Sequence, residues 1–391
     1  MIRTGAIRYA TANRFEPPRP VTDDRRSSGA ICPQSPSRLE GVLGVPDPRL
    51  PQSEDCLNLS IVTPGCDDAR RPVMVWLHGG AFVSGGGLQS WYDGARLSAE
   101  QNVVVVSVNY RLGAFGFLYL AGVSPGNLGL LDQVEALRWV RRHIADYGGD
   151  PANVTVFGQS AGGLSTALLL GIPEARGLFH RAIMQSAPLI STHRPAQAEK
   201  FGRELVAQLG ADPRSVAPDA LLRATGKAVM SRTRTPVFIP FAPVVGVYPV
   251  SAEPFMVNGG GRDVMYGWTR DEVTAFGASL RIAPGLSKVI FGRHTRRFRD
   301  QLVAKGSRVF SYRIDWRPSG SPFGATHCVE LPLLLGDRES WSAAPVLGDV
   351  GWDEVDRFGR AVRAAWASFA RNGTPDTAQL AGWPITVRSS K

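Results

Sequence analysis

Val154-Thr155-Val156-Phe157-Gly158-Gln159-Ser160-Ala161-Gly162-Gly163-Leu164 is the stretch on which the reading of this chain turns. A β-branched apolar run leads straight into Gly-x-Ser-x-Gly, and small residues able to open a helix follow. Such a strand–turn–helix context predicts a tight bend that presents the Ser160 hydroxyl at the positive end of a helix. Glycine at 158 and 162 leaves room for the bend where a side chain would collide. A glycine turn that serves helix–sheet packing alone would show the same pattern. The strand before it and the helix start after it favour a nucleophile.

Working outward, short apolar runs recur at 73–77, 103–108, 154–157, 182–186, 264–268 and 309–316. Most are continuous rather than alternating, which suits strands buried on both faces of a parallel sheet. Helical spacing lies between them. Over 130–147 the apolar positions are 130, 134, 137, 140 and 144, one buried face. Phe201, Leu205 and Leu209 repeat the pattern before Gly210, a C-cap. Trp352, Val355, Phe358, Val362, Trp366 and Phe369 do so before Asn372-Gly373. The alternation predicts an α/β fold, a mostly parallel central sheet with helices on both faces. The first 60 residues, rich in Pro, Arg and Ser, read as irregular coil. No linker divides the chain, so residues 1–391 are expected to form one α/β domain, with a loosely patterned, cap-like insertion around 190–262.

The 391 residues are 43% hydrophobic, enough apolar surface to exclude disorder as the main state. No uncharged apolar stretch of about 18 residues exists, so no membrane-spanning helix is expected. Residues 1–14 carry three arginines and no apolar core segment, unlike a secretory signal. A cytoplasmic location is therefore expected, and a secreted or cell-envelope one only if the true start lies upstream. The net charge is +10, and five of the 44 basic residues are lysine. Residues 281–308 hold eight basic residues and the single acid Asp300. Such a run can attract nucleic acid or anionic membrane. With no nucleic-acid motif beside it, a solvated helix face next to a cleft is the plainer reading. Four cysteines make no disulfide scaffold, and no Cys/His spacing suits a metal, so none is expected.

A second chemical signal follows the run at 73–77: His78-Gly79-Gly80-Ala81-Phe82, then Ser84-Gly85-Gly86-Gly87. Small residues let backbone N–H groups approach a ligand oxygen. Acyl transfer builds charge on that oxygen, and preorganised donors stabilise it most in the transition state. The N–H groups of Gly80, Ala81 and Ala161 are the candidates. Neither a P-loop ending nor a dinucleotide fingerprint is present, so phosphate binding fits poorly.

A serine hydroxyl needs a base, and the base an orienting acid. Of the six histidines (78, 143, 180, 193, 294 and 327), His327 lies in a loop soon after the run at 309–316, where a base at the carboxyl edge of a sheet belongs. The run at 264–268 ends in Thr269-Arg270-Asp271-Glu272, and either carboxylate can serve. The order serine, acid, histidine is that of an α/β-hydrolase fold.

Together these segments resemble the type-B carboxylesterases, the family of bacterial para-nitrobenzyl esterases and animal cholinesterases. They run in order through Ser53-Glu54-Asp55-Cys56-Leu57-Asn58-Leu59, Trp76 to Phe82, Asn109-Tyr110-Arg111-Leu112-Gly113, Asn127 to Gln133, Gly148 to Val154, the Ser160 turn, Thr269 to Glu272 and Gly324-Ala325-Thr326-His327. Matches extend from about residue 8 to 383. The resemblance implies a triad of Ser160, Glu272 and His327, an oxyanion hole of Gly80, Ala81 and Ala161, and no cofactor. It also implies a buried structural ion pair of Arg111 with Glu54, and it matches Cys32 and Cys56 to a disulfide of secreted members, although with no secretory signal visible free thiols are expected. The chain departs from the family in lacking its opening strands and in a shortened stretch between Glu272 and the run at 309. Gln159 stands where glutamate is usual.

The function expected on these grounds is hydrolysis of small uncharged carboxylic esters through an acyl-enzyme on Ser160. Phe82, Trp91, Phe115 and Phe117 are placed as pocket-lining residues. A lipase or amidase on the same triad, or a catalytically degenerate interaction scaffold, are the alternatives. Nucleic acid is not an expected partner.

Overall fold

A computed structural model describes residues 1–22, 27–45, 50–230, 241–255 and 261–390. Residues 231–240 and 256–260 of the expected cap-like insertion lie outside the described residues. Eight principal strands are β1 (Asn58–Thr63), β2 (Arg71–Leu77), β3 (Val104–Val108), β4 (Gly149–Gln159), β5 (Arg181–Gln185), β6 (Asp263–Thr269), β7 (Val309–Ile314) and β8 (Ile385–Ser390). They line up as β1-β3-β2-β4-β5-β6-β7-β8, with two short N-terminal strands on β1. From β3 through β7 every neighbour is parallel, and the outer strands β1 and β8 run antiparallel.

The principal helices are α1 (Ala95–Gln101), α2 (Leu128–His143), α3 (Ala161–Leu169), α4 (Pro195–Leu209), α5 (Pro218–Met230), α6 (His294–Ala304) and α7 (Trp352–Asn372). They divide between the two faces of the sheet, and the strand period of two explains how. Val73, Val75 and Leu77 of β2 pack in one cluster with apolar residues of α2 and α3. Met74 and Trp76, one residue out of phase, pack in the other with Leu97 of α1 and the stripe of α7. Every residue of β2 is therefore buried, and its sequence shows no alternation.

Local signals are confirmed at the helix ends. Gly210 and Gly373 take left-handed conformations that stop α4 and α7. The predicted helix over 130–147 divides into α2 and a 3₁₀ turn, Ile144–Tyr147. The reading of the first 60 residues as coil is corrected, because Ile2–Arg3, Ile7–Arg8 and the start of β1 pair into the sheet. Edge pairing of this kind comes from a distant partner and leaves little local periodicity. β8 escaped notice for the same reason: its burial alternates only between partial and full exposure.

The buried ion pair expected of Arg111 is also corrected. Its partner is Asp132 in α2, at 2.6 and 2.9 Å, and Asp132 also accepts from the Arg111 backbone N–H at 3.1 Å. Glu54 instead meets the Arg14 guanidinium at 2.8 Å. A guanidinium buried to this depth takes the carboxylate that can satisfy it twice, and Asp132 is fully buried beside it. Cys32 and Cys56 are adjacent buried free thiols, as expected without a secretory signal, and do not form the disulfide of secreted members. The Cys32 Sγ accepts from Leu112 N–H at 3.2 Å, and its hydrogen bond with Cys56, followed by burial, pushes the Cys56 thiol well up.

Candidate active site

The C-terminal ends of β2, β4, β6 and β7 deliver four segments to one edge of the sheet, where ligands bind in open parallel folds. Leaving β4, Ser160 adopts φ 57° and ψ −120°, a strained turn directly before α3. Its N–H donates to the Gln185 carbonyl at 2.8 Å, which ties the bend to β5. A Cβ on Gly162 would overlap the Leu77 carbonyl oxygen, and one on Gly158 would lie 2.6 Å from the Gly162 backbone. The two glycines let the turn pass against β2.

After β6 the two adjacent carboxylates separate by function. Asp271 accepts from the Arg317 guanidinium at 2.9 and 3.1 Å and from Ala325 N–H at 3.0 Å, so it holds the loop that carries His327. Glu272 turns the other way. One of its oxygens accepts from Thr269 N–H at 2.8 Å, and the other is hydrogen-bonded to His327 Nδ1. Glu272 is fully buried and His327 almost so. An Nδ1–H given to the carboxylate leaves a lone pair on Nε2, and there the Gln159 amide nitrogen sits 3.2 Å away. The rings of Phe276 and Phe291 flank the imidazole at 5.3 and 5.7 Å.

The glycine loop after β2 closes the site from the other side. Gly80 has φ +112°, a conformation an L side chain rarely takes, and its carbonyl accepts from the N–H groups of Val83 and Ser84 at 3.0 Å. The N–H groups of Gly80, Ala81 and Ala161 meet no acceptor among the described residues. His78 braces the loop. Its Nδ1 lies 2.7 Å from the Gly79 carbonyl, Tyr110 Oη donates to its own carbonyl at 2.7 Å, and the two rings stack. Burial pulls the His78 imidazole down to about 4, so it stays neutral and keeps positive charge away from the site.

Gly80, Ala81, Ser160 and His327 border one cavity of about 220 Å³, walled by Trp91, Tyr92, Leu222, Phe276 and Phe291. The expected lining residues are corrected here. Trp91 does line the cavity, stacked on Trp341 at 5.4 Å. Phe82 and Phe117 pack on each other at 4.8 Å in the core, and Phe115 lies buried beneath Arg14. Phe82 has φ 58°, which turns its ring inward, and its carbonyl accepts from Gly113 N–H. It anchors the loop rather than facing the cavity. Phe276 was missed, although it closes the short turn Glu272–Phe276 and so stands over the histidine. Nothing local marks Leu222 or Phe291.

Behind the pair, Glu330 is fully buried; Gln185 donates to one oxygen at 3.5 Å, and the other has no partner among the described residues. Burial, and then the Glu272 carboxylate, push its carboxyl from 4.5 up to about 7. The native state therefore keeps a proton that the unfolded chain releases. Stability falls as pH rises from about 4.5 to about 7 and is level above that. Glu330→Gln should remove this loss. Urea unfolding at pH 8 is expected to show a gain of about 3 kcal/mol, with no gain at pH 4. A variant less stable than the parent at pH 8 contradicts this.

The fold and this edge-of-sheet constellation define an α/β hydrolase. The Carboxylesterase family model matches residues 5–289. A para-nitrobenzyl esterase of Bacillus subtilis is 35% identical over 94% of this chain and 84% of its own length. A protein of Rhodococcus erythropolis named a probable N-octanoylanthranilate hydrolase is 40% identical over 94% of this chain and 88% of its own. Among solved structures, a PNB esterase superposes with a TM-score of 0.87 at 32% identity, covering 99% of this chain and 93% of that one. The chain belongs to the carboxylesterase family and is a carboxylic ester hydrolase.

Proposed function

We propose that the chain hydrolyses small uncharged carboxylic esters through an acyl-enzyme on Ser160. The observation that carries this reading is the Glu272 carboxylate on Nδ1 of a histidine that shares its cavity with Ser160. Once the Gln159 amide gives way at His327 Nε2, the lone pair there takes the Ser160 proton as Oγ attacks the ester carbonyl. Glu272 holds the imidazole in the required tautomer and stabilises its cationic form. The N–H groups of Gly80, Ala81 and Ala161 receive the developing oxyanion, and losing one such donor typically raises the barrier by about 3–4 kcal/mol. His327 then protonates the departing alcohol, and water repeats the sequence on the acyl-enzyme. Aromatic and aliphatic side chains make up much of the wall, beside the polar Gln34, Arg38 and Gln89, and no carboxylate is among the described lining residues, which supports an apolar ester.

A second reading, cleavage of N-acyl aromatic amides, is favoured by one observation. The Rhodococcus relative is named for a substrate whose acyl group is bound to nitrogen. The same three residues serve either leaving group.

Labelling with a fluorophosphonate, followed by mass mapping, tests the shared mechanism. One adduct is expected, on the peptide containing Ser160. A folded protein that takes no adduct, or takes it elsewhere, overturns the reading.

A further inference from the structure

Residues 283–304 form one continuous helical run, passing through a π-helical stretch at Lys288–Arg293 into α6. Its inner face is buried at Ala283, Ser287, Phe291, Thr295, Phe298 and Leu302, a spacing of three or four throughout. The outer face is unlike a solvated helix. Leu280, Ile282, Leu286 and Val289 are 40%, 53%, 40% and 53% exposed, four of the nine large hydrophobics exposed among the described residues. Arg281 and Lys288 are interleaved with them, and Arg293, Arg296 and Arg297 follow, all exposed.

Little negative charge answers these cations. Asp300 is held by Arg299 at 2.6 Å, and among the described residues Glu253 is the one carboxylate bordering the cleft beside Arg293 and Arg297. The patch also sits at the catalytic cavity. Phe291, on the inner face of the same run, walls that cavity. A Cβ on Gly324, in the loop leading to His327, would lie 2.8 Å from the Leu280 methyl.

Aliphatic side chains set among cations with few acidic partners among the described residues match one environment well, the boundary between lipid headgroups and acyl chains. There the apolar groups enter the hydrocarbon while arginine and lysine reach back to phosphates. A nucleic acid would answer the charge and leave the aliphatics in water. We infer that the outer face of residues 280–297 docks the chain peripherally on an anionic lipid surface, beside the cavity that Phe291 walls from the inner face of the same run. The docking stands by itself; that esters dissolved in the lipid enter the cavity directly rests on the esterase reading.

The test is sedimentation of the full chain with vesicles of phosphatidylcholine alone or with phosphatidylglycerol added. Partitioning onto the anionic vesicles is expected to be at least about tenfold stronger and to weaken with salt. Ile282→Ser with Val289→Ser, and separately Lys288→Glu with Arg293→Glu, should each reduce it about tenfold. Both pairs should leave hydrolysis of soluble nitrophenyl acetate and the unfolding midpoint unchanged. Arg357→Glu, an exposed position on α7, controls for overall charge and should have little effect. Absence of binding to anionic vesicles overturns the proposal and leaves a protein partner for this face. Binding that the Ile282/Val289 pair does not alter, or that Arg357→Glu reduces equally, overturns it as well. The readout does not depend on catalysis, so failure of the esterase mechanism would be seen separately.

Discussion

Ser160→Ala is expected to lower kcat for a nitrophenyl ester by about 10⁶ while leaving the fold intact. The size follows from the division of labour in the site. On the proposed mechanism no acyl-enzyme forms without Oγ, and only the oxyanion donors and substrate positioning remain to assist water. The fold survives because alanine occupies the same volume less one atom, and the backbone geometry at φ 57° is imposed by Gly158, Gly162 and the Gln185 carbonyl. KM should change little, since the hydroxyl contributes little to ground-state binding. Steady-state kinetics beside a thermal unfolding curve check both halves. A variant within tenfold of the parent rate would show that another group performs the attack.

The second large effect separates the two adjacent carboxylates. Glu272→Gln should reduce kcat by about 10⁴, because an amide lets the imidazole adopt the tautomer that keeps its proton on Nε2. The carboxylate oxygen that accepts from Thr269 N–H fixes the side chain, so the substitution changes charge and hydrogen-bonding character while the geometry holds. Asp271→Asn behaves differently. It weakens the hydrogen bonds to Arg317 and Ala325 and should lower stability by about 1–3 kcal/mol. Rate per folded molecule should stay within a few-fold. Kinetics and unfolding on both variants decide the matter. Equal losses of kcat would mean that Asp271 also acts on the histidine.

Much of this arrangement is legible in the chain before any coordinates. The buried strands announce themselves as unbroken apolar runs because both faces of the sheet are covered, and β2 and β4 stand where those runs predict. The helix stops at Gly210 and Gly373 are visible for the same local reason. Partners are less legible. Asp271 and Glu272 are neighbours in sequence, and only the path of the loops after β6 and β7 sends one to Arg317 and the other to His327. The residue types around Phe82 suggest a pocket wall, yet the backbone of the glycine loop turns that ring into the core.

The sequence by itself determined the buried strands, most of the helices between them and the bend at Ser160, and it put forward the nucleophile, base and oxyanion loop of the proposed mechanism. Each of these depends on a few consecutive residues whose sterics and periodicity act locally. Tertiary structure alone decided that Arg111 pairs with Asp132, that Phe276 and Phe291 rather than Phe82 and Phe115 stand at the cavity, and that Leu280, Ile282, Leu286 and Val289 face outward. Those outcomes depend on contacts between segments far apart in the chain, where a side chain's direction is set by whatever surface the rest of the fold places opposite it.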